Sequence, residues 1–305
     1  MVSRYGLLKA ILSPFSILAL LSSERIHPAY RMTVWKKLIL GWRFYWNKRR
    51  IPAATDARVH MAMALKLLEM PPELPGVVVE CGTFKGGTAA NLSLVCKIVG
   101  RELFVFDSFE GLPEGSLGDR EAKHYAKGDW AGTFEEVSNN IRKHGHFACC
   151  TLVRGWFDKT LPSFSREIVL AYVDVDLEAS LCTCVKNIWP RLSKRGFIFI
   201  DECLSTNYCS LFYSERWWRQ NFNRTPPGLI GAGTGLAVGD FYVGPCDELR
   251  DHPMQRGSSG AYTSNEMSGY WSYYPEDIVQ ESLESLPPPS AIPSAQISST
   301  IQSRG

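Results

Sequence analysis

The chain lacks a surplus of charge of either sign. Its 33 lysine and arginine residues are set against 31 aspartates and glutamates, leaving a formal net charge of +2. No bulk field draws it to nucleic acid, and none is expected as a partner. The nine cysteines form no CxxC…CxxC pairing, which argues against both a zinc site and a disulfide scaffold. Cys149 and Cys150 are adjacent, and Cys182 and Cys184 fall on an expected helix. Free thiols in a reducing, cytoplasmic compartment are the expectation. No apolar run is long enough to cross a bilayer. Residues 10–21 follow Arg4 and Lys9 as the core of a signal peptide would, but Pro14 interrupts them and no Ala-x-Ala site comes after. There is no internal repeat and no G-x-G-x-x-G. What remains, 45% hydrophobic and 21% charged, is an ordinary globular composition.

Hydrophobic spacing organises the rest. Residues 1–54 are read as an N-terminal helical segment. Within it Lys36, Lys37, Arg43, Lys48, Arg49 and Arg50 are interleaved with Trp35, Trp42, Phe44, Tyr45 and Trp46. A stretch of this kind can pack as a lid, form the seam of a homodimer, or lie on a membrane surface; packing against protein is the expected use. Residues 55–70 have helical spacing, with Val59, Met63 and Leu67 on one face, Asp56 as a cap and Pro71-Pro72 as terminator. Strands are expected at 77–79, 103–106, 151–154, 168–173 and 197–200. Helices fall at 88–99, at 134–144 and before Pro190, and a turn is expected at Gly196. The alternation predicts a doubly wound α/β fold with a mostly parallel sheet and an N-terminal helical extension. The catalytic domain would run over 55–245, including a strand or hairpin arm at 236–243. Residues 246–281 form a C-terminal extension, and the Ser/Pro/Gln-rich 282–305 a disordered tail.

Acids stand where such a fold does chemistry. The expected fourth strand runs into Asp174-Val175-Asp176 and the fifth into Asp201-Glu202. If these strands are parallel neighbours, four carboxylates meet at one sheet edge, which is unfavourable unless a cation or a proton offsets them. The first strand ends in Glu80, followed by Cys81-Gly82-Thr83-Phe84-Lys85-Gly86-Gly87 and a helix. Glycines there let the backbone approach a ligand, and the helix N-terminus attracts anionic groups, although a plain tight turn reads the same way. Glu80 would repel a pyrophosphate but suits a ligand with a cationic end. The second strand ends in Asp107, placed either to accept hydrogen bonds from both hydroxyls of a ribose or to begin the turn Asp-Ser-Phe-Glu-Gly-Leu-Pro. Glu80, the glycine loop and Asp107 together fit S-adenosylmethionine, which combines an amino-acid end, a sulfonium and an adenosine.

Four blocks in order, VVVECGTFKGGTAANL, FVFDSFEGLPEG, RGWFDKTLP and AYVDVDLEAS…IWPRLSKRGFIFIDE, resemble the macrocin O-methyltransferase family (TylF type). Its members include antibiotic-sugar O-methyltransferases. The resemblance takes in residues 55–205 and implies a class I methyltransferase fold, S-adenosylmethionine as cofactor and a divalent metal, usually Mg2+. It implies that Glu80 and Gly82 line the methionine end of the cofactor, that Asp107 holds the ribose, and that Gly155, Trp156 and Phe157 lie near the adenine. Thr83, Gly86 and Ser108 complete the expected cofactor set. Asp174, Asp201 and Glu202 would hold the metal, with Glu202 standing where the family has a second Asp. The implied acceptor is a hydroxyl on a small molecule, a sugar or polyhydroxylated natural product.

Methyl transfer to oxygen needs a base. Asp174, or else Asp176, would take the hydroxyl proton, and Mg2+ would lower the hydroxyl pKa. Asp176 equally suits a turn or helix-start position. His60 is expected to be a surface or packing residue, and His124, His144 and His146 to be exposed loop residues. Tyr213, Trp217, Trp218 and Phe222 have near-helical spacing and read as core. Two other function classes stay open: a non-catalytic cofactor-binding module, and a Rossmann-type oxidoreductase, against which the missing third glycine counts.

Overall fold

The computed structural model of the chain describes residues 16–53, 55, 57–114, 125–201, 210–232, 240–242 and 260–266. Its β-branched and aromatic runs form eight strands: β1 (Val77–Cys81), β2 (Leu103–Asp107), β3 (Cys150–Arg154), β4 (Ile168–Val173), β5 (Leu192–Ile200), β6 (Ile230–Ala232), β7 (Asp240–Tyr242) and β8 (Gly260–Ser264). They make one sheet in the order β3-β2-β1-β4-β5-β8-β6-β7. Strands β1 to β5 pair in parallel. β8 runs antiparallel to β5 and β6, and β7 antiparallel to β6. The helices are α1 (Ser16–Ser22), α2 (Val34–Arg50), α3 (Ala57–Glu69), α4 (Gly87–Val99), α5 (Phe134–His144), α6 (Phe157–Thr160), α7 (Glu178–Ile188) and α8 (Glu215–Phe222). The expected doubly wound α/β fold with a helical N-terminal extension is what forms. Strand order reverses between β1 and β4, which opens a crevice at the carboxyl ends of the strands.

Period-two alternation along the strands supplies two cores. Val78, Val105, Leu170, Tyr172 and Phe199 face the helices α1 to α5. Val77, Val79, Cys81, Ala171, Val173, Ile198 and Ile200 face α7 and α8. On the second side Trp218 is wholly buried, its ring centre 4.6 Å from that of Trp189. Its indole N–H donates to the Leu211 carbonyl at 2.7 Å. Tyr213 and Trp217 are buried with it, so the expected aromatic core forms.

Three local expectations need revision. The turn expected at Gly196 is instead part of β5. Its pairing jumps from Ile168↔Leu192 to Leu170↔Phe197, so the glycine marks an irregularity inside the strand, where a Cβ would meet the Ile168 carbonyl at 2.9 Å. Helix α3 buries nearly every side chain rather than one face, because α2, α4 and the sheet enclose it. The cap expected from Asp56 and the tail 282–305 lie outside the described residues, as do His124 and most of 246–281. His144, expected exposed, is 9% accessible and ends α5. Its carbonyl accepts from Asn47 Nδ2 at 3.1 Å and from the Arg43 guanidinium at 3.2 Å.

These bonds belong to a buried polar chain that ties α2 to the body. Asn47 Nδ2 also donates to Asn91 Oδ1 at 2.9 Å, Asn91 Nδ2 lies 2.8 Å from His60 Nδ1, and His60 Nε2 lies 2.9 Å from Thr88 Oγ1. Since the Asn91 oxygen accepts, its amide nitrogen donates to Nδ1, and His60 is the neutral Nε2–H tautomer donating to Thr88. His60 is therefore a packing residue. Farther along, α1 crosses α2 at Gly41, where a Cβ would approach Ile17 to 2.8 Å.

Truncating the largest of these core groups gives a test of the packing. Trp218→Ala is expected to lower unfolding stability by about 3–5 kcal/mol through lost burial and the cavity left behind. A urea titration followed by circular dichroism reads this as a lower midpoint at unchanged slope.

Candidate active site

The carboxyl ends of β1, β2, β3 and β4 frame a cleft of about 920 Å³, measured out to solvent. The ladder continues past the strands into the loops. Gly82 N donates to Phe106 O at 3.0 Å, Gly155 N to Asp107 O at 2.9 Å, Asp174 N to Cys81 O at 2.9 Å, and Asp201 N to Val173 O at 3.1 Å. At Gly82 the loops after β1 and β4 touch. Its φ is +81°, and an added Cβ would stand 1.8 Å from the Asp174 carbonyl oxygen, so both the backbone conformation and the space demand glycine. Gly86, also at φ +81°, closes the loop by donating to Thr83 O at 2.7 Å and precedes α4.

Asp107 joins the loops after β1 and β2. Oδ2 accepts from the Thr83 amide and Oδ1 from the Phe109 amide, each at 2.7 Å. It is thus the turn residue of its loop and a cleft-wall carboxylate at once. Each oxygen has a second lone pair for a ligand hydroxyl. Burial raises its pKa, with the Phe109, Thr83 and Phe84 amides and the Ser108 side chain pulling the other way. Ser108 Oγ donates to Gly111 O at 3.0 Å and accepts from the Glu110 amide at 3.1 Å, which shapes the same turn. Across the cleft, Gly155 has φ +141°, and Trp156 and Phe157 open α6.

Asp174 stands on the wall between the glycine loop and α7. Its Oδ2 accepts from the Tyr172 hydroxyl at 3.0 Å and from Thr55 Oγ1 at 3.3 Å, and those two hydroxyls lie 2.8 Å apart. Burial pushes the Tyr172 phenol well above its ordinary range, and the charges of Asp174 and Asp201 push it further. The phenol therefore stays protonated and acts as a donor. Asp176 also lines the cleft, with φ +56°, a left-handed conformation unusual for a non-glycine residue. It does not cap the helix: the N-cap of α7 is Leu177.

The structure thus gathers Gly82, Thr83, Asp107, Ser108, Gly155, Trp156, Phe157, Asp174 and Asp176 around one cleft. Glu80, Gly86 and Asp201 stand behind it. Glu80 is wholly buried, and neither carboxyl oxygen has a hydrogen-bond partner; the Thr83 hydroxyl is likewise unpartnered. Burial pushes the Glu80 carboxyl up to about 8. The nearby Thr83 side chain and Ala89 amide lower it without completing a bond, and Asp107 raises it. Asp201 is 2% exposed at the end of β5. Glu202, the remaining expected metal ligand, lies outside the described residues. Among the described residues no three His, Cys, Asp or Glu side chains gather as a metal site.

Sequence reasoning passed over several wall residues. Thr55, Tyr125 and Trp130 line the cleft, and Trp130 packs edge-on against Phe84 with centroids 5.2 Å apart. They come from connections whose spacing carries no periodic signal. Tyr172 lies within the expected strand 168–173 and is wholly buried. Its alternation with Asp174 along β4 was the available clue.

Residues 60–225 match the family model described as Macrocin-O-methyltransferase (TylF). An 8-demethyl-8-(2,3-dimethoxy-alpha-L-rhamnosyl)-tetracenomycin-C 4'-O-methyltransferase from Streptomyces olivaceus is 34% identical over 139 residues, 42% of this chain and 53% of that protein. A demethyldecarbamoylnovobiocin O-methyltransferase from Streptomyces niveus is 27% identical over 172 residues, 50% of this chain and 66% of that protein. The chain thus spans between half and two thirds of the length of these curated relatives. The solved structure of the O-methyltransferase NovP superposes with a TM-score of 0.50 at 22% identity, covering 68% of this chain and 77% of that one, a likeness of fold. The family match runs from within α3 through α8 and includes every cleft residue from Gly82 to Ser180. Covering more than half of the chain, it establishes that this protein belongs to the macrocin O-methyltransferase (TylF) family.

Proposed function

We propose that the protein is an S-adenosylmethionine-dependent O-methyltransferase acting on a hydroxyl of a small sugar-like or polyhydroxylated molecule. The observation that carries this reading is the convergence of Asp107, the Gly82–Thr83 turn and Asp174 on one cleft at the switch point of the sheet. Family membership supports the chemistry. The rhamnosyl group in one relative's name supports the acceptor class.

The described residues fit the cofactor. Thr83 and Glu80 present an orphaned hydroxyl and two orphaned carboxyl oxygens at the glycine loop, the polar complement of an amino-acid end. Asp107 offers lone pairs to ribose hydroxyls, and Trp156 and Phe157 offer apolar wall near a base. When bound, S-adenosylmethionine supplies a methyl carbon activated by a sulfonium. Asp174 then receives the proton that the acceptor hydroxyl loses as its oxygen gains the methyl group. Thr55 and Tyr172 hold that carboxylate in place. A cleft that aligns the two reacting atoms supplies much of the rate by orientation alone.

Mg2+ is the finer part of the proposal. Asp174 and Asp201 follow neighbouring strands and act on the same phenol, and with Glu202 they offer hard oxygen donors suited to that ion. A bound Mg2+ would stabilise charge on the acceptor oxygen. Calorimetric titration of the protein with Mg2+ alone is expected to show binding that Asp201→Asn weakens. Absence of heat in the parent protein would remove the metal from the reading.

Two variants separate binding from chemistry. Asp107→Ala is expected to weaken S-adenosylmethionine binding roughly 10–100-fold, the usual worth of one or two charge-assisted hydrogen bonds. Asp174→Asn should keep the cofactor Kd and lower kcat about 10²–10⁴-fold, the range of a lost general base. A mass-spectrometric methyl-transfer assay over a panel of glycosides reads the second effect. NAD binding in place of S-adenosylmethionine would return the oxidoreductase reading, and cofactor binding with no transfer to any acceptor would favour a binding module.

Glu80 sets a pH dependence. Its folded pKa of about 8 exceeds the unfolded value, so the folded state binds the extra proton and stability is lost as pH rises. Between about pH 5 and 8 the cofactor-free protein should lose stability steadily through this group as the pH rises. Glu80→Gln should flatten the slope in thermal melts taken across that window. An unchanged slope would mean that Glu80 is ionised in the free protein.

A further inference from the structure

The exposed apolar side chains gather in one region. Leu18, Val34, Trp35, Ile39 and Trp42 all lie on α1 and α2, while Trp130, the other large hydrophobic in solvent among the described residues, lies at the cleft. Trp35 is 75% exposed, Ile39 59% and Trp42 57%. Together with the half-buried Trp46 they recur at i, i+4, i+7 and i+11, a single stripe along α2. This stripe is opposite the inner face of Leu40, Gly41, Phe44 and Asn47, which packs against the body. The helix therefore has one face for protein and a second apolar face that no described part of the chain covers.

Charge specifies the surroundings of that second face. The helix sequence VWKKLILGWRFYWNKRR carries six basic residues and no acidic one. Lys36, Arg43, Arg49 and Arg50 are exposed beside the stripe. The Arg49 guanidinium sits 4.0 Å from the Tyr45 ring centre and that of Arg50 5.4 Å from the Trp46 ring centre, so cation and aromatic surface are presented together. Indole rings with flanking arginines and lysines are the combination that the headgroup boundary of a bilayer accommodates.

We propose that α2 docks the protein on an anionic membrane surface. Trp35, Ile39 and Trp42 enter the boundary between headgroups and acyl chains, and the basic side chains meet lipid phosphates. A second copy is the poorer occupant, because a two-fold pairing through this stripe lays a purely basic helix against itself. RNA would use the cations but leaves Val34 and Ile39 unexplained. No helix among the described residues is long and apolar enough to cross a membrane, so the contact is peripheral. Directly after α2, Pro52 and Ala53 lie on the cleft wall, and docking would hold the cleft near the lipid surface.

The test uses the full chain and two vesicle preparations, phosphatidylcholine alone and phosphatidylcholine mixed with phosphatidylglycerol. At low salt we expect at least about tenfold greater partitioning onto the anionic vesicles, given roughly fivefold per basic side chain at such a surface. Added salt should reverse it, and tryptophan emission should shift to the blue on binding. The double variants Trp35→Ser/Trp42→Ser and Lys36→Glu/Arg49→Gln should each lose about tenfold in partitioning at an unchanged melting temperature. Equal partitioning onto both vesicle types, or binding that neither double variant alters, overturns the proposal. So does a dimer in sedimentation velocity that Trp35→Ser/Trp42→Ser dissolves while vesicles are ignored, or retention of RNA without vesicle binding.

Discussion

The site depends on one contact between two backbones. The turn after β1 and the end of β4 approach so closely at Gly82 that no side chain fits between them. The same crossing is closed by the Asp174 amide donating to Cys81 O. From it the rest of the cleft follows. Thr83, one residue on, places its amide on Asp107, and the Asp107 carbonyl accepts from Gly155. Asp174, on the other side of the crossing, is turned toward Thr55 and Tyr172. Asp107 and Asp174 are therefore both placed by loops that meet at this one crossing.

Burial then decides what each acid does. Asp107 is met by backbone amides, and Asp174 by two hydroxyls. Glu80, facing α4 through the alternation of β1, completes no hydrogen bond, and burial pushes its carboxyl up to about 8. Burial thus raises both Asp107 and Glu80, while the amides that meet Asp107 pull it back.

The sequence made most of this legible where periodicity or a fixed strand end governs. The parallel strands, the acids at their tips and the aromatic core around Trp218 were all readable from spacing. The family blocks led to the same strand ends. What escaped depended on contacts between distant segments. Gly196 looks like a turn until the pairing with β4 shows the extra residues bulging within its own strand. His144 looks like a loop residue until Asn47, far earlier in the chain, is seen to reach its carbonyl. Thr55 precedes a helix with nothing local to mark it, yet it lies within hydrogen-bond reach of Asp174, more than a hundred residues later.

The antiparallel strand β8 has a consequence for how the molecule is made. All the cleft residues lie between Pro52 and Ser180, and the parallel strands are complete by Ile200. Among the described residues, the edge of β5 is covered by Gly260–Ser264. A growing chain therefore holds the described cleft residues for some sixty residues of synthesis while the apolar run Phe197–Ile200 still presents unpaired amides and carbonyls. Such an edge is a template for joining another chain. The order in which the ribosome delivers the sequence thus leaves a window in which the catalytic half is present but unsealed, and a chain ending before β8 would keep every cleft residue while leaving that edge open.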